Sequence, residues 1–374
     1  MTIRTLFFTF LLLLTVACTE QAKTINIGIL YNHQSNAGQS LLRASQMVER
    51  EIMEEQSNFF GPSRISLNLI KKDIGSTQES ALVAFRELIK AERIDAIIGP
   101  TSSHQAIPIA KLADSLHLPM ISPSSSHGNL TKGKKYVFRL AFTDEIQARA
   151  LADFASINLN AKHIGVVYKA SNSYSSEIAS LFIERVKQIA GTKLNIFKYV
   201  SSEQNFQLAL EKMKNEKVDL LFSPNFDQDV RRQMLVIEQL NWSVPILGSD
   251  SWHPENIRRR NPSLEAYYSH QWGEQVAADR AKSRAFSEAY SKIYDAPPTI
   301  VAALSYDALK LVVAVIKAVG NQPEAIRTEI ANLEWFSGVS GDIRFRGDGT
   351  PIRPVYIFRI ANEKIELHSE VVYE

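Results

Sequence analysis

The sequence predicts an α/β protein of two doubly wound lobes, each built on a parallel sheet. Strand and helix patterns alternate twice along the chain, first from Ile25 to Ser122 and again from Ile164 to Gly248. Such alternation favours parallel strands with helices on both faces, because a parallel connection needs a crossover. The 374 residues, 45% of them hydrophobic, are enough for two cores of ordinary domain size.

The first series follows the periods of strands and helices. Apolar residues alternate with a period of two in predicted strands and recur at 3.6-residue spacing in predicted helices. The predicted elements are strands at Ile25 to Tyr31, Ile65 to Leu69, Ala96 to Ile98 and Pro119 to Ser122, and helices at Gly38 to Glu55, Ser76 to Ala91 (opened by a capping box, Ser76 to Glu79) and His104 to Leu116.

The second series repeats this rhythm and is followed by further elements. Its predicted strands are Ile164 to Tyr168, Leu194 to Val200, Val218 to Phe222 and Val244 to Gly248, with helices at Ser175 to Ala190, Phe206 to Lys214 and Asp229 to Leu240. Two later helices, Asp279 to Tyr294 and Thr299 to Val319, and two later strands, Gly341 to Phe345 and Val355 to Ile360, extend the lobes. Ligands of open parallel sheets sit beyond the carboxyl ends of the strands, so two facing lobes predict a binding cleft between them.

The N-terminus predicts export and a lipid anchor. Leu6 to Leu14 is apolar but too short to span a bilayer, which needs about 20 apolar residues, and it has the length of a signal-peptide core. The following Ala17-Cys18 resembles a lipobox, although Thr15 replaces the usual Leu, Val or Ile. We expect a lipoprotein signal peptide at 1–17, lipidation of Cys18 and a tether at 18–23. The alternative is an ordinary cleaved signal peptide with an incidental cysteine.

Several motifs carry a resemblance to a known family. They are Gly99 to Ser103, Pro119 to Ser126 with Asn129 to Thr131, Val137 to Arg139 with Thr143, Asp144 and Gln147, Ala302 to Ala308, and Phe336 to Phe345. Each is weak alone, but their order and spacing resemble the type I periplasmic binding proteins of ABC transporters. The branch is that of the leucine/isoleucine/valine (branched-chain amino acid)-binding protein, and the resemblance covers nearly all of Ile25 to Ile360.

The resemblance implies how the chain divides into lobes. Three crossovers near Thr143, Gln271 and Gly347 would form a three-stranded hinge. The N-terminal lobe would then combine residues 24–143 with 272–347, and the C-terminal lobe would combine 144–271 with 348–374. Closure about this hinge suits capture of a small molecule.

On the first lobe, serines mark the expected ligand site. Ser103 precedes a predicted helix whose free N–H groups and positive end favour an anion, and the resemblance implies that it binds the ligand carboxylate. Ser124 and Ser126 follow the next strand, and there the family offers backbone groups and a hydroxyl. The alternatives are a helix-capping serine and a serine-rich turn without a ligand.

On the second lobe, the resemblance implies an aromatic and acidic half-site. Tyr174 would close on the ligand, Phe226 stands where amino-acid-binding members have a tyrosine, and Asp250 would pair with the ligand ammonium. Trp252 nearby is expected to stack on the ligand. The alternatives are a surface tyrosine, local packing of the phenylalanine and a turn aspartate.

The resemblance implies a binding protein rather than an enzyme. We expect a small, amino-acid-like ligand, delivery to ABC permease subunits, a place in the periplasmic or extracytoplasmic envelope, and attachment to a membrane through the lipid anchor. The alternative is an envelope sensor or regulatory lipoprotein with the same fold. A net charge of +2 argues against nucleic acid, and no nucleophile elbow, zinc-protease motif or phosphate-binding loop indicates catalysis, a metal or a cofactor.

Overall fold

Two large sheets and one small sheet form the framework of the chain in the computed structural model. The structure describes residues 23–57, 65–201, 206–260, 265–273, 276 and 280–373. The predicted signal peptide, Cys18 and the tether up to residue 22 lie outside the described residues.

The first sheet is wholly parallel and has the strand order β2-β1-β3-β4-β5. Its strands are β1 (Lys23–Tyr31), β2 (Ile65–Asp73), β3 (Ala96–Ile98), β4 (Met120–Ser122) and β5 (Val137–Arg139). The connecting helices are α1 (Asn36–Ser57), α2 (Gln78–Ala91), α3 (Ser103–Ser115) and a 3₁₀ turn at Gly128–Leu130. The capping box of α2 is formed by Thr77 and Ser80, one residue later than predicted.

The second sheet contains seven strands in the order β15-β14-β10-β9-β8-β6-β7. Its parallel part comprises β6 (His163–Lys169), β7 (Lys193–Tyr199), β8 (Leu220–Phe222), β9 (Ile246–Gly248) and β10 (Ala266–His270). The helices are α4 (Asp144–Asp153, continued by a π-helical turn at Phe154–Asn158), α5 (Ser173–Lys187), α6 (Gln207–Asn215), α7 (Asp227–Gln239) and α8 (Pro254–Arg260). Antiparallel β14 (Val355–Ala361) and β15 (Lys364–Val371) close one edge.

The remaining elements return to the first sheet. They are α9 (Ala281–Tyr294), α10 (Ile300–Val319), α11 (Pro323–Ala331), β11 (Phe336–Gly338), β12 (Gly341–Phe345) and β13 (Pro351–Ile352). The apolar side of α10 packs with β1 and α1 in one core, while α2 and α3 cover the opposite face of the sheet. Within the described ranges, no helix combines the length and the hydrophobicity that crossing a bilayer would require.

The two parallel sheets repeat one design, which confirms the predicted fold class. In each, the first strand lies second from the edge and the following strands continue in sequence order. In each sheet the first strand also contains a glycine that packs against a branched side chain of the neighbouring strand. An added Cβ on Gly28 would lie 2.6 Å from Ile97 Cδ1, and one on Gly165 would lie 3.0 Å from Leu221 Cδ1.

The chain passes between the sheets three times, after β5, after β10 and after β13. The first and second passages are joined where the Gln271 side chain accepts a hydrogen bond from the backbone of Phe142, at 3.1 Å. The third lies later than Gly347, because β13 still pairs with β12 and Gly349 accepts a bond from the Arg139 amide. The crossover predicted near Gly347 and the lobe limits stay a proposal.

Candidate functional site

The predicted site residues lie on loops that leave the carboxyl ends of parallel strands. Ser103 begins the helix after β3, and Ser124 and Ser126 follow β4. In the second sheet Tyr174 lies in the first turn of the helix after β6, and Asp250 follows β9. A contact joins the two groups of loops, since His127 Nε2 after β4 lies 3.0 Å from Glu177 Oε2 on α5. These strand ends therefore meet in a cleft between the lobes.

The start of α3 offers unpaired donors on the first lobe. Ser102 is the N-cap residue, but its side chain caps no backbone N–H; its hydroxyl lies 2.6 Å from His104 Nδ1. The Ser103 hydroxyl lies 2.8 Å from that of Ser125 and 3.5 Å from the amide of His127. A helix N-terminus with hydroxyl groups beside it suits a carboxylate.

A buried arginine holds the serine loop from behind. The Arg139 guanidinium is fully buried and donates to the carbonyls of Ser125 and Ser126, at 3.3 and 2.7 Å. It also reaches the Gly128 carbonyl and the Thr131 hydroxyl. Burial lowers the pKa of Arg139 to about 10, so it stays protonated at neutral pH. The charged guanidinium of Arg139 therefore holds the serine loop in place. The sequence did not predict this role.

Within this loop the two predicted serines differ. The Ser124 hydroxyl donates to the Thr101 carbonyl at 3.0 Å, which ties together the loops after β4 and β3. The Ser126 carbonyl accepts from the Asp144 amide at 3.2 Å, so this residue joins the loop to the start of α4. Both serines are partly exposed, and their contact with a ligand stays a prediction.

Tyr174 and Asp250 form the polar group of the second lobe. The Tyr174 hydroxyl lies 2.5 Å from Asp250 Oδ1 and 3.1 Å from Gln147 Oε1. Gln271 donates to Asp250 Oδ2 at 3.3 Å, and Gln147 donates to Ser269 at 3.0 Å. Burial, with the charges of Asp250 and Asp144, raises the pKa of Tyr174 well above its ordinary value, so the phenol stays a donor.

Phe226 borders this group. Its side chain is 49% exposed, and its ring centroid lies 5.7 Å from that of Tyr174 at a tilt of 54°. A pair of aromatic rings at the site can cover an apolar part of a ligand. Contact between Phe226 and a ligand stays a prediction.

The structure corrects the expectation for Trp252. This side chain is only 2% exposed and belongs to a hydrophobic core with Tyr268 and Ile257. Its indole N–H donates to the Ser223 carbonyl at 3.0 Å, and the ring covers Gly248, where an added Cβ would lie 2.1 Å away. Trp252 therefore supports the sheet and does not face the cleft.

Asp144 is a cleft carboxyl that the sequence did not single out as a binding residue. It begins α4, is 3% exposed, and its Oδ1 has no hydrogen-bond partner. Burial, followed by the charges of Asp250 and Glu177, raises its pKa, the Ser126 hydroxyl and Arg139 act in the opposite direction, and the resulting pKa is about 7. The only sequence signal was its place in the Thr143-Asp144 motif.

In the contact between His127 and Glu177, the histidine is the hydrogen-bond donor. His127 Nδ1 accepts a bond from the Asn129 amide at 3.1 Å, which assigns a lone pair to that nitrogen. The proton of the neutral ring then lies on Nε2 and is donated to Glu177. The contact fastens the serine loop to α5 across the cleft.

A two-lobed α/β protein with a helix N-terminus on one lobe and an acidic group on the other has the design of a solute-binding protein. Residues 24–364 match the profile of the periplasmic binding protein family, and the chain belongs to that family. This confirms the resemblance found in the sequence. Among the described residues, no group of three histidine, cysteine or acidic side chains is placed to hold a metal ion.

Solved structures of this family superimpose over nearly the whole chain. A branched-chain amino acid transporter substrate-binding protein from Streptococcus pneumoniae, in complex with isoleucine, is 25% identical with a TM-score of 0.79, and the match covers 94% of this chain and 100% of that one. A leucine-binding protein from Thermotoga maritima is 24% identical with a TM-score of 0.78, and covers 93% and 98%.

Curated relatives match over shorter stretches. A Leu/Ile/Val-binding protein of Rhizobium johnstonii is 23% identical over 179 residues, which are 48% of this chain and 48% of that protein. Glutamate receptor 2.9 of Arabidopsis thaliana is 30% identical over 134 residues, which are 36% of this chain and 14% of the receptor. The chain thus spans about half or less of these relatives.

We predict that Asp144→Asn stabilises the ligand-free protein more at high pH than at low pH. Since the folded pKa is about 7 against an ordinary 3.8, the folded protein keeps a proton that the unfolded chain releases between these values. The free energy of unfolding therefore falls as the pH rises through this window, and the loss is complete above pH 7. Asparagine removes that loss, which for a shift of about three pKa units is on the order of 4 kcal/mol.

Thermal denaturation at pH 4.5 and pH 8 measures this effect. The control is Asp153→Asn, at the other end of the same helix, where the carboxylate pairs with Arg185 at 2.7 Å. An equal gain for Asp144→Asn at both pH values, or none, would contradict an unneutralised buried carboxyl at this position.

Proposed function

We propose that this protein captures a small amino acid or a related compound in the cleft and delivers it to an ABC importer. The observation that carries the proposal is the pairing of two opposite poles. The N-terminal end of α3 with Ser103 offers donors for a carboxylate, and Asp250, held by Tyr174, offers a carboxylate for an ammonium group. A zwitterion presents both charges, and closure of the cleft would strengthen both interactions by excluding water.

The relatives support this ligand class. The Streptococcus pneumoniae protein carries isoleucine, and a binding protein from Desulfitobacterium hafniense with the same fold was solved in complex with leucine. The family also includes neighbours with other carboxylates, such as a Rhodopseudomonas palustris protein in complex with benzoate. All of these ligands have a carboxylate, and we assign its binding to the first lobe. We assign the binding of a cationic group to Asp250.

The proposed site comprises Ser103, Ser124, Ser126, Tyr174, Phe226 and Asp250. Gln147 and Gln271 act through Tyr174 and Asp250, to which they are hydrogen-bonded, and are therefore positioning residues. Trp252 is left out because it lies in the core.

A second candidate is a sensor in the envelope that reports ligand status to another protein. The match to plant glutamate receptors favours it, since the shared segment belongs to proteins named as receptors. Uptake of the labelled ligand by cells lacking this chain separates the two functions. Lost uptake supports delivery to an importer, and unchanged uptake supports the sensor.

We predict that Asp250→Ala weakens ligand binding by more than about tenfold, while Ser103→Ala weakens it less. Removing one partner of a buried charge pair costs roughly 2–5 kcal/mol, because the other charge is left unpaired. At Ser103 the backbone N–H groups of the helix end remain after the hydroxyl is removed. Asp153→Ala, away from the cleft, is the control.

The ligand for this measurement comes from a thermal-shift screen of residues 19–374 against the common amino acids and small carboxylates, since binding raises the melting temperature. Calorimetric titration then compares the variants. Unaltered affinity in Asp250→Ala, or a best ligand without a cationic nitrogen, would show that the acidic pole has another role.

We further propose that Cys18 is lipidated and holds the protein at a membrane of the cell envelope. The apolar segment Leu6 to Leu14 followed by Ala17-Cys18 supports the proposal, and Cys18 is the single cysteine of the chain. Two or three acyl chains anchor a protein firmly, whereas one chain alone binds marginally.

We predict that Cys18→Ser moves the protein from the membrane fraction to the soluble fraction. The serine cannot carry the thioether lipid. Fractionation of cells followed by immunoblotting measures the distribution, with Thr19→Ser as the control. A Cys18→Ser protein that remains wholly in the membrane fraction would rule out this anchor.

A further inference from the structure

The cleft contains more negative charge than a zwitterionic ligand neutralises. Asp144 is buried and its Oδ1 has no partner. The charged groups that influence it are Asp250 on the loop after β9, Glu177 on α5 and Arg139 on β5. In the described part of the chain, no lysine or arginine nitrogen lies within 4.0 Å of the carboxylates of Asp144 or Asp250.

The one nearby cation is already occupied. Arg139 donates to the carbonyls of Ser125, Ser126 and Gly128 and to the Thr131 hydroxyl, so it faces the back of the serine loop. His127 donates to Glu177 and is likewise engaged. The charge of Arg139 lowers the pKa of Asp144, but its hydrogen bonds go to the serine loop, so a cation in direct contact with Asp144 would have to be brought by a ligand.

A zwitterionic ligand has a single positive charge, so it offers none to Asp144 once that charge is paired with Asp250. The ligand carboxylate would take the helix end at Ser103, and the ligand ammonium would take Asp250. The two carboxylates differ in their hydrogen bonds. Tyr174 and Gln271 already donate to the two oxygens of Asp250. Asp144 is reached by the Ser126 hydroxyl, but its Oδ1 has no partner, and a buried carboxyl with so few donors is costly to ionise unless a cation or further donors reach it.

We propose that Asp144 is a specificity-determining residue that selects ligands with a second cationic nitrogen, as in dibasic amino acids. The inference rests on the proposed function and narrows its ligand class. The second nitrogen lies against Asp144 Oδ1 when the cleft is closed, while Asp250 holds the α-ammonium group. The second cationic nitrogen of the ligand supplies the direct positive contact that the surrounding side chains do not give to Asp144.

Binding of such a ligand also moves a proton. With a pKa of about 7, Asp144 is partly protonated in the free protein at neutral pH. A cation beside it favours the ionised carboxylate, so the carboxyl proton passes to the buffer as the ligand binds. A ligand with a neutral side chain leaves that proton in place.

Two isosteric ligand pairs test the proposal on residues 19–374. Lysine differs from norleucine by its terminal ammonium group, and arginine differs from citrulline by its guanidinium charge. In calorimetry at pH 7 we expect the cationic member of each pair to bind at least about tenfold more tightly. We also expect its binding enthalpy to depend on the ionisation enthalpy of the buffer, which reports proton release.

Asp144→Asn should remove this preference while leaving binding of norleucine and citrulline within about threefold. Asp153→Asn, the same substitution at the other end of α4, should change neither ligand pair. The comparison within wild-type protein and the proton release need no variant, so a poorly folded Asp144→Asn leaves the test intact.

Different outcomes overturn different claims. Equal affinity within each pair, a preference that persists in Asp144→Asn, or a neutral amino acid as the sole ligand contradicts the role of Asp144 and leaves the proposed function standing. Binding of no amino acid or amine at all contradicts the proposed function, and the present inference with it.

Discussion

A carboxylate withdrawn from water must be given hydrogen-bond donors or a cation, and the cleft is arranged around this requirement. Asp250 receives donors from Tyr174 and Gln271. Gln271 also accepts a bond from the backbone of Phe142, so the acidic pole is tied to two of the three passages between the sheets. Movement at these passages and the position of Asp250 are therefore linked through one side chain.

The scaffold brings these groups together by repeating one topology. The parallel parts of both sheets have the same strand order, and in both the carboxyl ends of the strands carry the polar loops. The first lobe contributes a helix end and, beside it, a serine loop whose carbonyls accept hydrogen bonds from the buried Arg139. The second lobe contributes carboxyl and phenol groups. A ligand that meets both poles must bridge the lobes.

The sequence was sufficient for the elements with long or strongly periodic patterns. The apolar segment at the start of β1 and the helical spacing of α1 and α10 predicted these elements well, because each buries one continuous face. The short strands β3 and β4 were predicted from their apolar residues, whereas β5 and β10, which include Arg139, Ser269 and His270, were not predicted as strands. Three to five residues have no measurable period, and the pairing of such strands is decided by strands distant in the sequence.

The site was predicted only in part, because some of its features depend on residues that are distant in the sequence. Ser103, Tyr174 and Asp250 follow strand ends, and that local position is readable in one sequence. Trp252 follows the same strand end as Asp250, but only its packing with Tyr268 and Ile257 shows that it points into the core. The properties of Asp144 depend on Ser126, Asp250 and Glu177, which are brought beside it only by folding.

Closure of the cleft on a ligand is tested most directly by small-angle X-ray scattering of residues 19–374, without ligand and with a saturating concentration of the tightest-binding amino acid in the thermal-shift screen. If the ligand bridges Ser103 on one lobe and Asp250 on the other, the radius of gyration should fall on binding. The same ligand should leave the scattering of Asp250→Ala unchanged at a concentration that saturates only the wild type. Identical curves for the wild type with and without saturating ligand would contradict capture by closure between the lobes.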